Sequence, residues 1–363
     1  MNGKLILSDG TVFLGESFGA DINSSGEVVF NTGMMGYPES FTDPSYFGQI
    51  LTLTYPLVGN YGVPEKKYLE SDKIQIKGLI VQNYLDHPSH FESQKTLGQW
   101  LKEEAIPALS GIDTRALTTK LRYHGVMLGR IVVGSSEFRV QSSRNKSPNS
   151  QLITPNSLYD PNQENVLPQV SVKEVTTFGE GKKHIVLIDC GAKGNILKSL
   201  LKRKIKVSVV PWDFNPLKKL KFDGVLISNG PGDPKKAEET ISTIKQLLDQ
   251  KVPTFGICLG SQLLALAAGG DTYKLKFGHR GQNQPVQDLI SKKALITSQN
   301  HGFAVDTKSL DPDWQEWFIN LNDGTNEGIR HKKKPFLAAQ FHPEASPGPL
   351  DAGYLFDEFL SYV

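Results

Sequence analysis

The 363-residue sequence has few cysteines, no long apolar run and almost no net charge. Its two cysteines, Cys190 and Cys258, cannot form a disulfide framework, which indicates a reducing, cytoplasmic environment. No apolar run approaches the roughly 18 residues of a membrane-spanning helix, and the opening residues MNGKLILSDG lack the apolar segment of a secretory signal. Because 40 basic residues nearly balance 38 acidic ones, the composition does not favour nucleic acid or an anionic membrane as a partner.

The length and the pattern of the sequence predict two domains. Residues 1–180 form the predicted N-terminal domain, a smaller β-rich α+β region that ends in a polar connection over about 135–180. Residues 181–363 form the second domain, where apolar segments such as HIVLIDCG alternate with amphipathic ones such as AEETISTIKQLLDQK. This alternation is typical of an α/β fold with a largely parallel open sheet covered by helices.

Cys258 lies in the segment FGICLGSQLLALAAGG. A lone cysteine is usually a small buried apolar residue, and that interpretation remains open for Cys258 by itself. However, the apolar VPTFGI before it predicts a strand and QLLALAA after it predicts a helix, while Gly256 and Gly260 flank it at the spacing of a nucleophile on a sharp turn. The positive end of the following helix favours a thiolate. The pattern therefore predicts a nucleophilic cysteine.

A catalytic thiol needs a base, and His342 is the best placed of the eight histidines. It follows the apolar segment FLAAQF and is separated from Glu344 by one residue. In extended backbone, residues two apart point to the same side, so we expect Glu344 to orient the imidazole. The alternative is that HPE is only the exposed end of a strand.

The loop NGPGDP at residues 229–234 is the third element of the predicted site. Its glycines and prolines form a rigid turn whose amides can face a ligand, so we expect the amides of Gly230 and Leu259 to bind an oxyanion. A tight turn without a ligand is the alternative. The HPSH segment at 87–90 completes no metal-ligand set, and the sequence contains no P-loop. We therefore expect neither a metal nor a nucleotide on this chain.

Together, FGICLGSQ, SNGPGDP and FHPEAS resemble the class I glutamine amidotransferases. Segments such as VVFNTGMMGYPES, SGIDTRALTTKLR and SPGPLDAGYLFDEF extend a resemblance to the small subunits of carbamoyl-phosphate synthases over nearly the whole chain. The resemblance implies a triad of Cys258, His342 and Glu344 that releases ammonia from glutamine through a glutamyl thioester. The residues that it assigns to glutamine binding are Ser45, Gly230, Gly232, Leu259, Gln262, Asn300, Gly302 and Phe303.

The resemblance also implies a partner, the large subunit of carbamoyl-phosphate synthase, in a heterodimer. That subunit makes carbamoyl phosphate from bicarbonate and two ATP for arginine and pyrimidine biosynthesis, so ATP and magnesium are expected there and no cofactor on this chain. Ser45, in the segment DPSY, implies that the N-terminal domain packs against the amidotransferase crevice. Ser261 stands where the family usually has histidine, which leaves helix packing or partner contacts near it open.

Three other functions remain open from the sequence. The chain could serve another synthetase, which co-purification of the native partner would reveal. It could be a stand-alone cysteine hydrolase of the same fold, such as a peptidase, which would turn over fully without a partner. It could be a non-catalytic regulatory subunit, as Ser261 suggests, although the complete triad argues against this.

Overall fold

A computed structural model describes residues 1–134 and 158–363, which group into two compact units. The first unit comprises described residues of Met1–Thr32, Gly48–Tyr68 and Ile76–Asp160, and the second comprises Gly33–Phe47, Leu69–Gln75 and Pro161–Val363. The predicted boundary divided the chain once, after residue 180. In the structure, three earlier segments group with the second unit, namely residues 33–47, 69–75 and 161–180. The boundary in the sequence stays a prediction, and residues 135–157 of the predicted connection lie outside the described residues.

The elements of the described residues follow in chain order. The strands are β1 (Asn2–Leu7), β2 (Val12–Ser17), β3 (Ser24–Asn31), β4 (Gln49–Leu53), β5 (Leu57–Val58), β6 (Gly78–Ile80), β7 (Asn83–Tyr84), β8 (Ala108–Ser110), β9 (Met127–Val133), β10 (Thr176–Phe178), β11 (His184–Asp189), β12 (Lys206–Pro211), β13 (Gly224–Ile227), β14 (Thr254–Ile257), β15 (Asp271–Asp288), β16 (Ala294–Asp306), β17 (Trp314–Asn320), β18 (Asn326–His331) and β19 (Phe336–Ala339). The helices are α1 (Tyr37–Thr42), α2 (Leu97–Glu103), α3 (Thr114–His124), α4 (Leu167–Val170), α5 (Gly194–Lys202), α6 (Glu238–Asp249), α7 (Leu259–Ala267) and α8 (Tyr354–Leu360).

The first unit contains a closed barrel with the strand order β1-β2-β8-β6-β4-β3-β9. In β1, the buried Leu5 and Leu7 alternate with more exposed side chains, as expected for a strand with one face in a core. Helix α2 begins after Thr96 because Thr96 and Gln99 cap each other's backbone amides. The β-rich character predicted for this region is confirmed, and closure of its sheet into a barrel is additional.

The second unit contains a ten-stranded sheet in the order β10-β12-β11-β13-β14-β19-β18-β17-β15-β16. Neighbours from β12 to β19 are parallel, and β13, β14 and β19 are buried throughout, as the continuous apolar segments predict. The α/β fold is thus confirmed. Strands β15 to β18 add an antiparallel extension that the sequence analysis did not predict.

Both faces of this sheet are covered by helices. Along β11, Ile185 and Leu187 pack in one cluster with residues of α5 and α8. The alternate residues Val186 and Ile188 pack in another cluster with residues of α6 and α7. At the carboxyl ends of β13, β14 and β19 lie the three segments that the sequence analysis singled out, so the parallel sheet brings them to one edge. In the part of the chain that the structure describes, no helix is long and apolar enough to cross a membrane.

Candidate active site

Cys258 lies on a strained turn between β14 and α7, with φ 54° and ψ −105°. The two flanking glycines make this turn possible. A Cβ atom on Gly256 would lie 2.4 Å from the carbonyl oxygen of Gly260, and one on Gly260 would lie 2.2 Å from that of Ile227. Helix α7 starts at Leu259, three residues earlier than expected, so the thiol lies directly at the helix N-terminus.

His342 and Glu344 form a buried pair after β19. The Nδ1–H group of His342 donates a hydrogen bond of 2.6 Å to Oε1 of Glu344. The same oxygen lies 3.2 Å from Nζ of Lys193, whose side chain is also buried. The backbone between the pair is a turn, closed by a 3.1 Å hydrogen bond from the amide of Ala345 to the carbonyl of His342, and not the extended segment that we expected. The turn brings the two side chains together by chain reversal.

Charges around this pair favour the ionised forms of both partners. Burial disfavours the imidazolium, but Glu344 and Cys258 outweigh burial and raise the pKa of His342 to about 10. Burial also opposes ionisation of Glu344, but Lys193 and His342 lower its pKa to about 2. Nε2 of His342 has no hydrogen-bond partner among the described residues. With Nδ1 protonated towards Glu344, Nε2 is the nitrogen that exchanges a proton with the neighbouring thiol, and the raised pKa of His342 favours the state in which the ring holds that proton.

Asp43 connects Ser45 and Asn300, two of the residues predicted to bind the substrate glutamine. Its Oδ1 accepts from the amide of Ser45 at 2.9 Å and from Nδ2 of Asn229 at 3.2 Å, and its Oδ2 accepts from Nδ2 of Asn300 at 3.0 Å. The thiol of Cys258 in turn donates to the carbonyl of Asn300, with a sulfur-to-oxygen distance of 3.6 Å. Ser45 belongs to the second unit itself. The predicted packing of the N-terminal domain against the crevice stays a prediction.

The remaining predicted residues fall into two groups. Gly230 lies beside Leu259, since a Cβ on Gly230 would be 2.8 Å from Cδ2 of Leu259, and Nε2 of Gln262 donates to the carbonyl of Phe303 at 2.9 Å. Gly232 and Gly302 form the other group. The positions of their missing Cβ atoms face Val166 and Arg280, respectively.

The sequence analysis missed three residues that organise this site: Asp43, Lys193 and Asn229. Lys193 is buried, and although burial disfavours its charge, Glu344, Glu70 and Asp43 together raise its pKa. Asn229 joins two parts of the site, because its Nδ2 also donates to Oγ of Ser45 at 2.9 Å and its Oδ1 accepts from the amide of Lys193 at 3.0 Å. Asp43 lies in the segment DPSY and Asn229 in SNGPGDP, both of which the sequence analysis had quoted, whereas no quoted segment contained Lys193.

Comparison with known proteins finds family models that match most of the chain. Residues 186–362 match the family model for glutamine amidotransferase class-I, and residues 5–131 match that for the carbamoyl-phosphate synthase small chain, CPSase domain. The chain is 47% identical over 370 residues to the carbamoyl phosphate synthase arginine-specific small chain of Neurospora crassa, covering 98% of this chain and 79% of that protein.

Two further relatives are much longer than this chain. The multifunctional protein pyrABCN of Emericella nidulans is 45% identical over 390 residues, which cover 99% of this chain but 17% of that protein. The human protein named carbamoyl-phosphate synthase [ammonia], mitochondrial, is 46% identical over 371 residues, which cover 99% of this chain and 23% of that protein. The chain thus corresponds to about a fifth of these two relatives.

Proposed function

Because the chain belongs to the family of carbamoyl-phosphate synthase small chains, we propose that it hydrolyses glutamine at Cys258 and supplies ammonia to a carbamoyl-phosphate synthase large chain. The observation that carries the proposal is the hydrogen bond from Nδ1 of His342 to Glu344, which leaves Nε2 available beside a cysteine on a strained turn. Family membership alone does not establish the nitrogen source, since the human relative is named for ammonia.

In the proposed reaction, His342 takes the thiol proton and the sulfur of Cys258 attacks the carboxamide carbon of glutamine. The amide of Leu259, the first in α7, has no acceptor in a preceding helical turn and can donate to the oxyanion together with Gly230. The carbon–nitrogen bond then breaks, and His342 protonates the leaving nitrogen to give ammonia and a glutamyl thioester. Water, deprotonated by His342, attacks the thioester and releases glutamate and the thiol.

Glu344 and Lys193 position the base in this scheme without contacting the reacting atoms. Glu344 holds the ring with Nδ1 protonated and stabilises the imidazolium, while Lys193 keeps Glu344 ionised. Asp43 holds Ser45 and Asn300 in place for substrate binding. Glutamine hydrolysis by these residues requires no cofactor on this chain.

The proposal assigns bicarbonate, both ATP molecules and magnesium to the large chain, as a heterodimer with this one. The product would be carbamoyl phosphate for arginine and pyrimidine biosynthesis, and the Neurospora relative is named as arginine-specific. A cytoplasmic location also belongs to the proposal. Two free, buried cysteines support it, because reducing compartments keep thiols unpaired.

The direct test is Cys258→Ala, assayed for carbamoyl phosphate synthesis with the large chain. We expect synthesis to be lost with glutamine and retained with added ammonia, because only the nitrogen supply depends on the thiol. Cys190→Ala is a matched control, since Cys190 is also buried but lies outside the proposed triad. We expect it to keep glutamine-dependent synthesis.

Two results would contradict the proposal. Unchanged glutamine-dependent synthesis in Cys258→Ala would remove the nucleophile assignment. Rapid glutamine hydrolysis that the ATP-loaded large chain leaves unaltered would favour a stand-alone hydrolase of the same fold.

A further inference from the structure

A second buried cluster of histidines and a carboxylate lies outside the triad. His279 of β15, His301 of β16 and Glu327 of β18 each present one ligand atom, and these atoms all lie within 4.8 Å of one another. All three residues are more than nine-tenths buried. Nε2 of His301 and Oε2 of Glu327 have no hydrogen-bond partner among the described residues.

The protonation of His301 creates an unmet requirement in this cluster. Its Nδ1 lies 2.9 Å from the carbonyl oxygen of Phe303, which can only accept, so Nδ1 carries the proton. Nε2 of the neutral ring is then a lone pair, and it faces Oε1 of Glu327 at 3.8 Å. Two acceptors that face each other in a buried site are unfavourable unless a proton or a metal ion lies between them.

His279 has the same arrangement of a bound outer nitrogen and an inner nitrogen facing Glu327. Its Nε2 lies 2.8 Å from Oδ2 of Asp323, and its Nδ1 lies 3.2 Å from Oε1 of Glu327. An imidazole that ligates a metal usually donates its other N–H to a carboxylate or a backbone carbonyl, which fixes the ring. Asp323 has this place for His279, and the carbonyl of Phe303 has it for His301.

From this geometry we propose that His279, His301 and Glu327 bind one divalent transition-metal ion of the zinc type. Ligand atoms around a tetrahedral zinc ion lie about 3.4 Å apart. Oε1 of Glu327 lies 3.2 and 3.8 Å from the two ring nitrogens, and the ligand atoms all lie within 4.8 Å of one another. Nδ1 of His279, Nε2 of His301 and the carboxylate of Glu327 supply three ligands, and the fourth position is left for water. Two imidazoles and a carboxylate suit zinc better than magnesium or calcium.

The role of the ion in this proposal is structural. Its ligands come from three strands of the antiparallel extension, so one ion joins β15, β16 and β18. The carbonyl of Phe303 accepts hydrogen bonds from His301 and from Gln262, which is one of the residues predicted to bind the substrate glutamine. The ion thereby stabilises the backbone that carries Phe303. This site goes beyond the proposed glutamine hydrolysis, which needs no metal.

The test measures zinc binding by the metal-free full-length chain in competition with a chromophoric chelator. We expect one tight site per chain, and at least about a hundredfold weaker binding in Glu327→Gln and His301→Gln, which each remove a ligand. Asp323→Asn should weaken binding by about 10- to 100-fold, as loss of an outer hydrogen bond to a ligating histidine does. His87→Gln is the matched control, because His87 is exposed and outside the cluster, and we expect wild-type affinity.

Cobalt(II) separates this site from the catalytic thiol. We expect a tetrahedral visible spectrum without a thiolate charge-transfer band, and we expect it unchanged in Cys258→Ala. Wild-type binding no tighter than that of Glu327→Gln would overturn the proposal, and so would loss of the site in Cys258→Ala. If the ligand variants do not fold, equal affinity in Asp323→Asn and the wild type would overturn it, because Asp323 is partly exposed and its replacement leaves the core intact.

Discussion

The second unit contains two buried histidine–glutamate pairs that differ at the second nitrogen of the histidine. His342 donates to Glu344 through Nδ1, and its Nε2 has no hydrogen-bond partner among the described residues. His279 is engaged at both nitrogens, by Glu327 and by Asp323. One ring can therefore accept and release a proton, whereas the other is held by two carboxylates.

The two pairs also differ in their position in the sheet. His342 and Glu344 lie on a turn beyond the end of β19, where the parallel strands finish, and a substrate can approach that edge. His279 and Glu327 lie within β15 and β18, inside the sheet. Similar side-chain pairs thus occur at the sheet edge, where we propose catalysis, and inside the sheet, so a pair alone does not identify an active site.

The largest expected effect is on activity and concerns the His342–Glu344 pair. Glu344→Gln should lower glutamine-dependent carbamoyl phosphate synthesis by about 10²- to 10⁴-fold, because the amide neither fixes the Nδ1–H tautomer nor stabilises the imidazolium. Synthesis from added ammonia should persist. Glu358→Gln is the control, since that carboxylate also forms a charged hydrogen bond, to Arg330, away from the site. Equal losses in both variants would show that the loss does not depend on the His342–Glu344 pair.

The next effect is on stability and concerns the His279–Glu327 pair. Glu327→Gln should lower the free energy of unfolding by about 3–5 kcal/mol, because in the metal-free protein its buried carboxylate holds His279 and Asn320 by hydrogen bonds. The side chain of Asp323, the other carboxylate partner of His279, is 44% exposed. Asp323→Asn should therefore lower the free energy of unfolding by at most about 1 kcal/mol. Urea unfolding of metal-free protein measures both. Losses of equal size would show that burial does not set the strength of this cluster.

The pH dependence of stability tests the raised pKa of His342. Its folded pKa is about 10 and its ordinary value is 6.5, so its contribution is fully present below pH 6.5 and is lost as the pH rises towards 10. Over that window it should reduce the free energy of unfolding by at most about 1.4 kcal/mol per pH unit. His342→Gln should remove this slope from urea-unfolding curves, whereas a slope that persists in the variant would assign it to other groups.

The parts of the site that could be predicted from sequence are local. Gly256 and Gly260 flank Cys258 within five residues, so their close backbone contacts follow from spacing alone. The proximity of Glu344 to His342 was also predictable, although a turn and not a strand produces it. The parallel strands were visible as continuous apolar segments.

Features built from distant residues could not be predicted in this way. Asp43 meets Asn229 and Asn300 across 186 and 257 positions, and no periodicity marks such pairs. Strand β15 is long and mostly polar, and its burial alternates irregularly around β-bulges, so it lacks a two-residue repeat. Closure of the barrel likewise depends on pairing between β1 and β9 at opposite ends of the first unit's sequence.

The smallest effect concerns Ser261, a buried polar residue outside both pairs. Its side chain is fully buried and its Oγ has no hydrogen-bond partner among the described residues. Burying an unpaired hydroxyl is unfavourable, so Ser261→Ala should raise the free energy of unfolding by up to about 1 kcal/mol and leave glutamine-dependent synthesis unchanged. Ser228→Ala is the matched control, because Ser228 is equally buried but accepts from the amide of Cys190 at 2.9 Å. It should destabilise by about 1–3 kcal/mol. A loss of stability in Ser261→Ala would mean that this buried hydroxyl does form a stabilising hydrogen bond.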